Sequence, residues 1–250
     1  MSGAGGIQQG PVQFMPATSI KEAEDWAMNN IAQKVRFVPE NYSPIELEFA
    51  NTINESVYEV TKGKKLKGII YDHPWKIAKA IGRDSVGDMY AALHEDVLYI
   101  VRKETLESEA AFKVAISDSL KISKKQFKKT LTELKAYYKT TKNESILKAI
   151  KELEKEGSKP WQLSKSRRDL VRHEMGHWVE TQSVDLQKIT NAHTNKNITN
   201  YKKLSEYQNV LNTKTGHWRE LSSEYFVSYK NGILDDIPKE ILDIFKKMEL

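Results

Sequence analysis

The pentapeptide His173-Glu174-Met175-Gly176-His177 restricts what this chain can fold into more than any other stretch does. Residues four apart on a helix share one face, so the imidazoles of His173 and His177 can converge on one metal ion. Zinc accepts such nitrogens at about 2.0–2.1 Å. Glu174 lies about 100° round the helix and reaches a water on the metal instead of the metal itself. The motif therefore predicts a zinc site with Glu174 as general base.

The residues around the motif predict a helix that packs into a core. Ser166 to Asp169 has the form of a capping box just before the helix. The apolar positions that follow form one broad face: Leu170, Val171, Met175, Trp178 and Val179. A helix packed through that face turns its His-Glu-His side toward a cleft. The alternative is a surface helix whose histidines are four apart by chance, which is about a one-in-a-hundred event with six histidines.

Composition limits the chemistry and the setting. The chain has 250 residues, a net charge of +5 and no cysteine, so a bound metal must be held by histidine and carboxylate. The N-terminus lacks the charged and apolar regions of a secretion signal, and no stretch reaches 18 apolar residues. We expect no membrane contact. We also expect a flexible lead over residues 1–17 and a single domain over 18–250.

Hydrophobic spacing and caps predict a helix-rich α+β fold with a small twisted sheet. Predicted helices share a capping signal or apolar residues three and four apart: 19–31, 43–61, 107–118, 123–138, 144–156, 166–180, 220–229 and 238–248. Strands are predicted at 66–71, 89–93 and 97–101, the last two forming either a hairpin or consecutive sheet strands. Residues 120–157 read as an exposed helical insertion ended by Pro160-Trp161. Residues 182–212 have weak periodicity and receive no element.

A catalytic zinc site needs a third protein ligand. One pattern places a glycine and a third histidine shortly after the second histidine, but here those positions are Glu180 and Ser183. The other pattern places a glutamate on a later helix, where Glu220 and Glu224 stand four residues apart. One can bind the metal while the other lies behind it. Spacing alone does not decide which of the two glutamates binds the metal, and both can also be ordinary surface charges.

Two motifs together resemble a known family. Arg172-His-Glu-Met-Gly-His combined with Ser223-Glu-Tyr-Phe is similar to the gluzincin metallopeptidase domain related to anthrax lethal factor, which also occurs in bacteriophage minor head proteins. That family reads H-E-x-G-H, then E-[FY]-F-A-E-A-F, then a proline loop and a closing helix. Glu224-Tyr-Phe matches the first glutamate and the aromatics, and Pro238 to Met248 matches the closing helix.

The resemblance implies a zincin-like domain in which His173, His177 and Glu224 hold Zn2+. Two positions depart from the family pattern. The family's second glutamate is Ser228 here, so Glu220 would supply the outer carboxylate from the preceding turn. The family's tyrosine, seven residues before its ligand glutamate, is His217 here. We expect His217 to donate a hydrogen bond to the developing oxyanion.

The implied function is zinc-dependent endopeptidase activity on an extended peptide that pairs with a cleft-edge strand. The phage members place such a protein in head assembly, in the virion or host cytoplasm, with other head proteins as candidate partners. Two alternatives remain: a catalytically silent minor head protein that keeps the fold, and a lysine-rich scaffold that binds nucleic acid. Intact Glu174 favours the enzyme. The mixture of lysines and glutamates in the insertion, without interleaved aromatics, argues against nucleic acid.

Overall fold

The structure is a computed structural model that describes residues 14–157 and 163–250. The first part of the predicted N-terminal lead (1–13) and Pro160-Trp161 lie outside the described residues. The helices are α1 (Ile20–Asn30), α2 (Leu47–Thr61), α3 (Pro74–Ala80), α4 (Glu109–Thr141), α5 (Glu144–Glu156), α6 (Arg167–Gln182), α7 (Val184–Thr190), α8 (Leu221–Lys230) and α9 (Lys239–Lys247). The strands are β1 (Val35–Arg36), β2 (Gly68–Asp72), β3 (Ala91–His94), β4 (Val97–Val101), β5 (Leu211–Asn212) and β6 (His217–Trp218). The predicted helix-rich α+β class is confirmed.

The larger sheet has the strand order β1-β2-β4-β3, with β1, β2 and β4 parallel. Strand β3 runs antiparallel to β4 and forms one edge. Glu95 and Asp96 join the two strands with φ of 50° and 64°. Two left-handed residues are typical of the tight hairpin turn whose twist matches its strands. Of the two arrangements that the sequence allowed, the hairpin is the one present.

Helix α6 is held in the core by apolar packing and by ion pairs to α2. Ser166 caps it, with its hydroxyl accepting from the N–H of Asp169 at 3.0 Å. Arg167 is 2% exposed and donates to Glu46 beside α2 and to Glu109 at the start of α4. One turn on, Arg172 donates to Glu59 at 2.9 Å. Because a buried guanidinium needs such partners, these contacts fix where α6 begins.

Two predicted helix boundaries were wrong. Helix α2 begins at Leu47, not at Ser43, because Ile45 is buried and its N–H donates to the carbonyl of Phe37 in an extended segment. Helix α4 runs unbroken from Glu109 to Thr141, so Ser123 is not a cap. Its half-buried positions keep helical spacing through the expected break: Ile116, Leu120, Ser123, Phe127, Leu131 and Leu134. With no glycine or proline between them, nothing ends the helix there.

The sequence did not predict α3, α7 or the small β5–β6 ladder. The ladder pairs Leu211 with Trp218 and Asn212 with His217. His217 therefore lies in a strand before α8, not at a helix start. Helix α4 and its neighbour α5 are largely exposed, and Phe112 is the buried residue of α4. The separation of residues 120–157 as an insertion stays a prediction. Among the described residues no helix has the length and apolarity to span a bilayer.

Candidate metal centre

The centre is built where α6 crosses α8. A Cβ added to Gly176 would lie 2.6 Å from the Cα of Ser223 and 3.2 Å from the Cβ of Phe226. Any side chain at 176 would force the helices apart, so glycine sets their separation. This close crossing brings two glutamates against the histidine face of α6. Glu220 directly precedes α8, and Glu224 lies in the first turn of α8.

Both motif histidines meet one carboxylate oxygen. The Nε2 atoms of His173 and His177 each lie 3.0 Å from Oε2 of Glu220. The three donor atoms lie within 4.8 Å of one another. Ligands of a tetrahedral zinc with bonds of about 2.0–2.1 Å are roughly 3.3 Å apart, so small side-chain rotations suffice to admit the ion. His173 is 4% exposed and Glu220 3% exposed.

The two glutamates lie in the reverse of their expected positions. Glu224, expected beside the metal, is fully buried, and its Oε1 lies 2.9 Å from Nδ1 of His173, on the far side of the ring. Its Oε2 accepts from the N–H of Leu163 at 2.9 Å. Glu220, expected behind the ligand, contacts both histidines. The reason is the register of α8, which begins at Leu221 and leaves Glu220 at its cleft end.

The buried atoms fit a metal ion of this kind. Nδ1 of His173 and Oε1 of Glu224 are buried and have no hydrogen-bond partner among the described residues beyond their mutual 2.9 Å approach. If Nδ1 carries the proton and donates it to Glu224, Nε2 keeps its lone pair for a metal. Such a carboxylate behind a ligating histidine is a regular feature of zinc sites. Two imidazole nitrogens and one carboxylate oxygen also match the ligand set of one class of catalytic zinc.

The electrostatics of the cluster favour positive charge. Burial lowers the pKa of His173, but the hydrogen bonds that its ring donates to the carboxylates of Glu220 and Glu224, together with their charges, outweigh burial and raise that pKa well above its ordinary value. Burial also opposes ionisation of Glu220, yet the charge of His177 and contacts with both histidines leave its pKa lowered. The same carboxylates would stabilise a divalent cation. Because protons on the histidines compete with a metal for Nε2, metal affinity should fall as pH falls.

Glu174 is held at the edge of the sheet. Its Oε2 accepts a hydrogen bond of 2.8 Å from the backbone N–H of Leu93 on β3, and the residue is 7% exposed. Within the described part of the chain no hydrogen bond occupies its Oε1. Glu174 thus links α6 to the edge strand β3 through one oxygen and keeps the other free of hydrogen bonds to described residues.

His217, expected as the oxyanion donor, faces Glu180. Its Nδ1 is 3.9 Å from Oε1 of Glu180, and it lines a smaller cavity of about 400 Å³ on the other side of His177. The aromatic residue that reaches the cluster is Tyr207, whose ring stacks on His173 with a centroid distance of 5.6 Å. Burial, followed by the charges of Glu220 and Glu174, raises the pKa of Tyr207. Its phenol therefore stays protonated as a donor.

Sequence reasoning missed Tyr207 because it lies in the polar segment 182–212, in a short 3-10 turn (Tyr207–Asn209). No periodic pattern marks such a turn. A tyrosine upstream of the ligand glutamate was the family signal to look for, but here it stands 13 residues before Glu220.

A cleft of about 740 Å³ opens onto the cluster. Helix α4 forms one wall, β3 with the preceding Met89 and Tyr90 forms the other, and α6 forms the floor. Arg219 lines this cleft and the smaller cavity, and its Nε lies 3.6 Å from Oε1 of Glu220. The volume suits several residues of a peptide.

Comparison with known proteins identifies no relative. No protein-family model matches the chain, and neither a curated protein nor a solved structure matches it.

Proposed function

We propose that this protein is a zinc-dependent endopeptidase of the gluzincin type, with zinc held by His173, His177 and Glu220. The observation that carries the proposal is the convergence of both Nε2 atoms on one glutamate oxygen at 3.0 Å, at the floor of a cleft. The position of Glu174 favours a catalytic role of the site over mere storage of the ion. Glu174 is adjacent to the ligands but contacts the edge strand instead of joining them.

The placement of Glu220 gives a second alignment with the family pattern, which matches three of its seven positions, as many as the alignment from Glu224 does. With Glu220 as the first glutamate, Glu220-Leu-Ser-Ser-Glu224-Tyr-Phe aligns with E-[FY]-F-A-E-A-F at both glutamates and at the final phenylalanine. Ser228 then no longer replaces a required carboxylate. The position of the family's tyrosine, seven residues before the first glutamate, is then Thr213. We assign the role of that tyrosine to Tyr207, because its ring stacks on His173. The phage minor head proteins that share this pattern make head assembly the proposed setting.

In this proposal, zinc when bound supplies a Lewis acid and a water of lowered pKa. Glu174 would accept a proton at Oε1, while the Leu93 N–H holds Oε2 in place. Glu174 then returns the proton to the leaving amine. Tyr207 donates from its hydroxyl toward the negative charge that develops on the carbonyl oxygen, where a fixed donor stabilises the transition state. Glu224 keeps His173 oriented through Nδ1.

The edge strand is the surface on which we place the substrate. The N–H of Val101 donates to the carbonyl of Tyr90 at 2.8 Å, so alternate residues of β3 bond to β4. The backbone groups of Ala91 consequently point away from β4, at the wall of the cleft. An extended peptide can pair there and pass over the metal ligands.

The decisive experiment combines metal analysis with peptide-library cleavage. Wild type should contain one zinc per chain and cleave peptides in a chelator-sensitive manner. Glu174→Gln should keep the zinc and lose cleavage by several orders of magnitude, because the ligands remain while the base is gone. Asp185→Asn, an exposed carboxylate on α7, serves as the matched control and should cleave normally.

Either of two results would contradict the proposed function. Wild-type protein without stoichiometric zinc would contradict the metal centre. Zinc-loaded wild type that cleaves nothing in a broad library would leave the silent minor head protein as the better reading.

A further inference from the structure

The positive charge of the chain is concentrated in one part of the fold. Residues 120–157 contain eleven lysines and five glutamates, a net charge of +6, whereas the whole chain carries +5. The rest of the protein therefore has a net charge of −1. These residues form the second half of α4 and all of α5, which pack against each other as a helical hairpin.

Folding sorts the lysines of α4 onto one face. At 100° per residue, seven of them fall within an arc of about 140° that extends about 27 Å along the helix. We call this set the lysine stripe: Lys121, Lys124, Lys125, Lys128, Lys129, Lys135 and Lys139. All seven are exposed. The sequence shows lysines and glutamates mixed along the chain, but on α4 between Lys121 and Lys139 the one acidic residue is Glu133.

The stripe is not explained by helix stability. Like charges four residues apart destabilise a helix, and the stripe contains such pairs at 121/125, 124/128, 125/129 and 135/139. Three stripe lysines are offset by ion pairs: Lys121 with Asp118, Lys129 with Glu133 and Lys135 with Glu154. The other four form no ion pair with any residue that the structure describes. A helix that keeps this repulsion is suited to an anionic partner.

We propose that the lysine stripe binds the phosphate backbone of double-stranded DNA without reading its sequence. Phosphate contacts from lysine supply affinity that is independent of sequence. The stripe has no arginine and no aromatic side chain, so it lacks the groups that stack on unpaired bases in single-strand binding. A straight helix face of this length fits the wide major groove of B-form DNA, whereas the major groove of duplex RNA is too narrow for side chains to enter.

The other faces of α4 are already used. Half-buried Phe127, Leu131 and Leu134 form the side packed toward the hairpin partner α5. Ala115, Ser119, Ile122 and Gln126 line the catalytic cleft from a different side. An amphipathic helix needs a continuous free apolar face to enter a membrane surface, whereas the exposed large apolar residues on this half of α4, Ile122 and Tyr137, are 15 residues apart. Asp118, which pairs with Lys121, also lines the cleft, but no stripe lysine does, so the stripe can be tested separately from the peptidase assignment.

The test measures binding of a 20-base-pair duplex of arbitrary sequence by fluorescence anisotropy at several salt concentrations. Four to seven phosphate contacts give a slope of log K against log salt between about −3.6 and −6.3. The variant Lys124→Gln/Lys125→Gln/Lys128→Gln/Lys139→Gln should weaken binding at low salt by at least about tenfold and flatten the slope by up to about 3.6. Glutamine is a good helix former, so α4 should persist.

A control variant removes the same charge elsewhere: Lys79→Gln/Lys196→Gln/Lys246→Gln/Lys247→Gln. All four positions are exposed. It should bind the duplex nearly as wild type does. Equal losses in both variants would show a bulk charge effect and overturn the proposal, as would absence of duplex binding at 50 mM salt. Stripe-dependent binding to vesicles of anionic phospholipid, without binding to DNA, would assign the stripe to a membrane surface. The unfolding midpoint of the stripe variant is measured as a folding control. A midpoint at or above that of wild type shows that the variant lost binding and not structure.

Discussion

His173 lies between two carboxylates that meet different nitrogens of one ring. Glu220 faces Nε2 and Glu224 faces Nδ1. A histidine ligates through one nitrogen and is oriented through the other, so the two glutamates have different roles in the proposed zinc site.

This geometry predicts unequal effects of two alanine substitutions. Glu220→Ala should abolish stoichiometric zinc, because it removes the oxygen that both histidines share. Glu224→Ala should weaken zinc affinity by roughly 10–100-fold, since it removes only the carboxylate that orients His173. Zinc content after dialysis against a metal buffer measures both. A larger loss in Glu224→Ala would mean that the register of α8 is wrong.

A second pair of substitutions separates Tyr207 from His217. Tyr207→Phe removes a hydroxyl but keeps the ring stacked on His173, so zinc content should not change. The kcat for peptide cleavage should fall by roughly 10²–10³ with little change in KM, as for loss of an oxyanion donor. His217→Ala is the matched control and should retain most of kcat, because His217 faces Glu180. The opposite ranking would return the donor role to His217.

At the scale of elements, the site depends on the crossing of α6 and α8. Alanine is normally the better residue inside a helix, by about 1 kcal/mol relative to glycine. Gly176→Ala should nevertheless destabilise the protein by about 1–3 kcal/mol, because the new Cβ would meet the backbone of Ser223. It should also weaken zinc binding, since α8 carries the glutamates. Denaturant unfolding at fixed free zinc measures the first effect, and a stabilised variant would show that the crossing is looser than the structure has it.

The hairpin of β3 and β4 is the other element that sets the site. Its edge strand supplies the N–H that holds Glu174 and lines the cleft through Ala91 and Ala92. A tight turn with two left-handed residues fixes the register, and a one-residue slip would turn the Leu93 N–H away from Glu174.

Across the whole fold, the described hydrophobic core is formed without the side chains of the candidate metal centre. Buried aromatics such as Phe49, Tyr225 and Phe226 pack around α2, α6 and α8. Chelation should therefore leave the far-ultraviolet circular dichroism unchanged and unfolding cooperative. Free zinc at 100 times Kd should raise the free energy of unfolding by about 2.7 kcal/mol above that of the chelated protein. Loss of secondary structure on chelation would contradict this, and would place the metal among the determinants of the fold.

Local sequence patterns are enough to predict those features that depend on residues a few positions apart. The spacing of His173 and His177, the Ser166 cap and the apolar side of α6 follow from helix period and capping, which involve residues a few positions apart. The β3–β4 strands followed from their apolar runs in the same way. The prediction of two helices in place of α4 is wrong because Ser123 resembles a cap, although the apolar spacing continues through it.

How the helices and the edge strand meet at the site follows only from contacts between distant segments. Glu220 and Glu224 are equivalent in spacing, and only the close crossing at Gly176 assigns one to Nε2 and the other to Nδ1. Tyr207 and the Leu93 N–H reach the site from segments with no sequence signal for it. Such choices depend on contacts between residues 34 to 81 positions apart. Their energies come from packing and burial, which the local pattern of a chain does not encode.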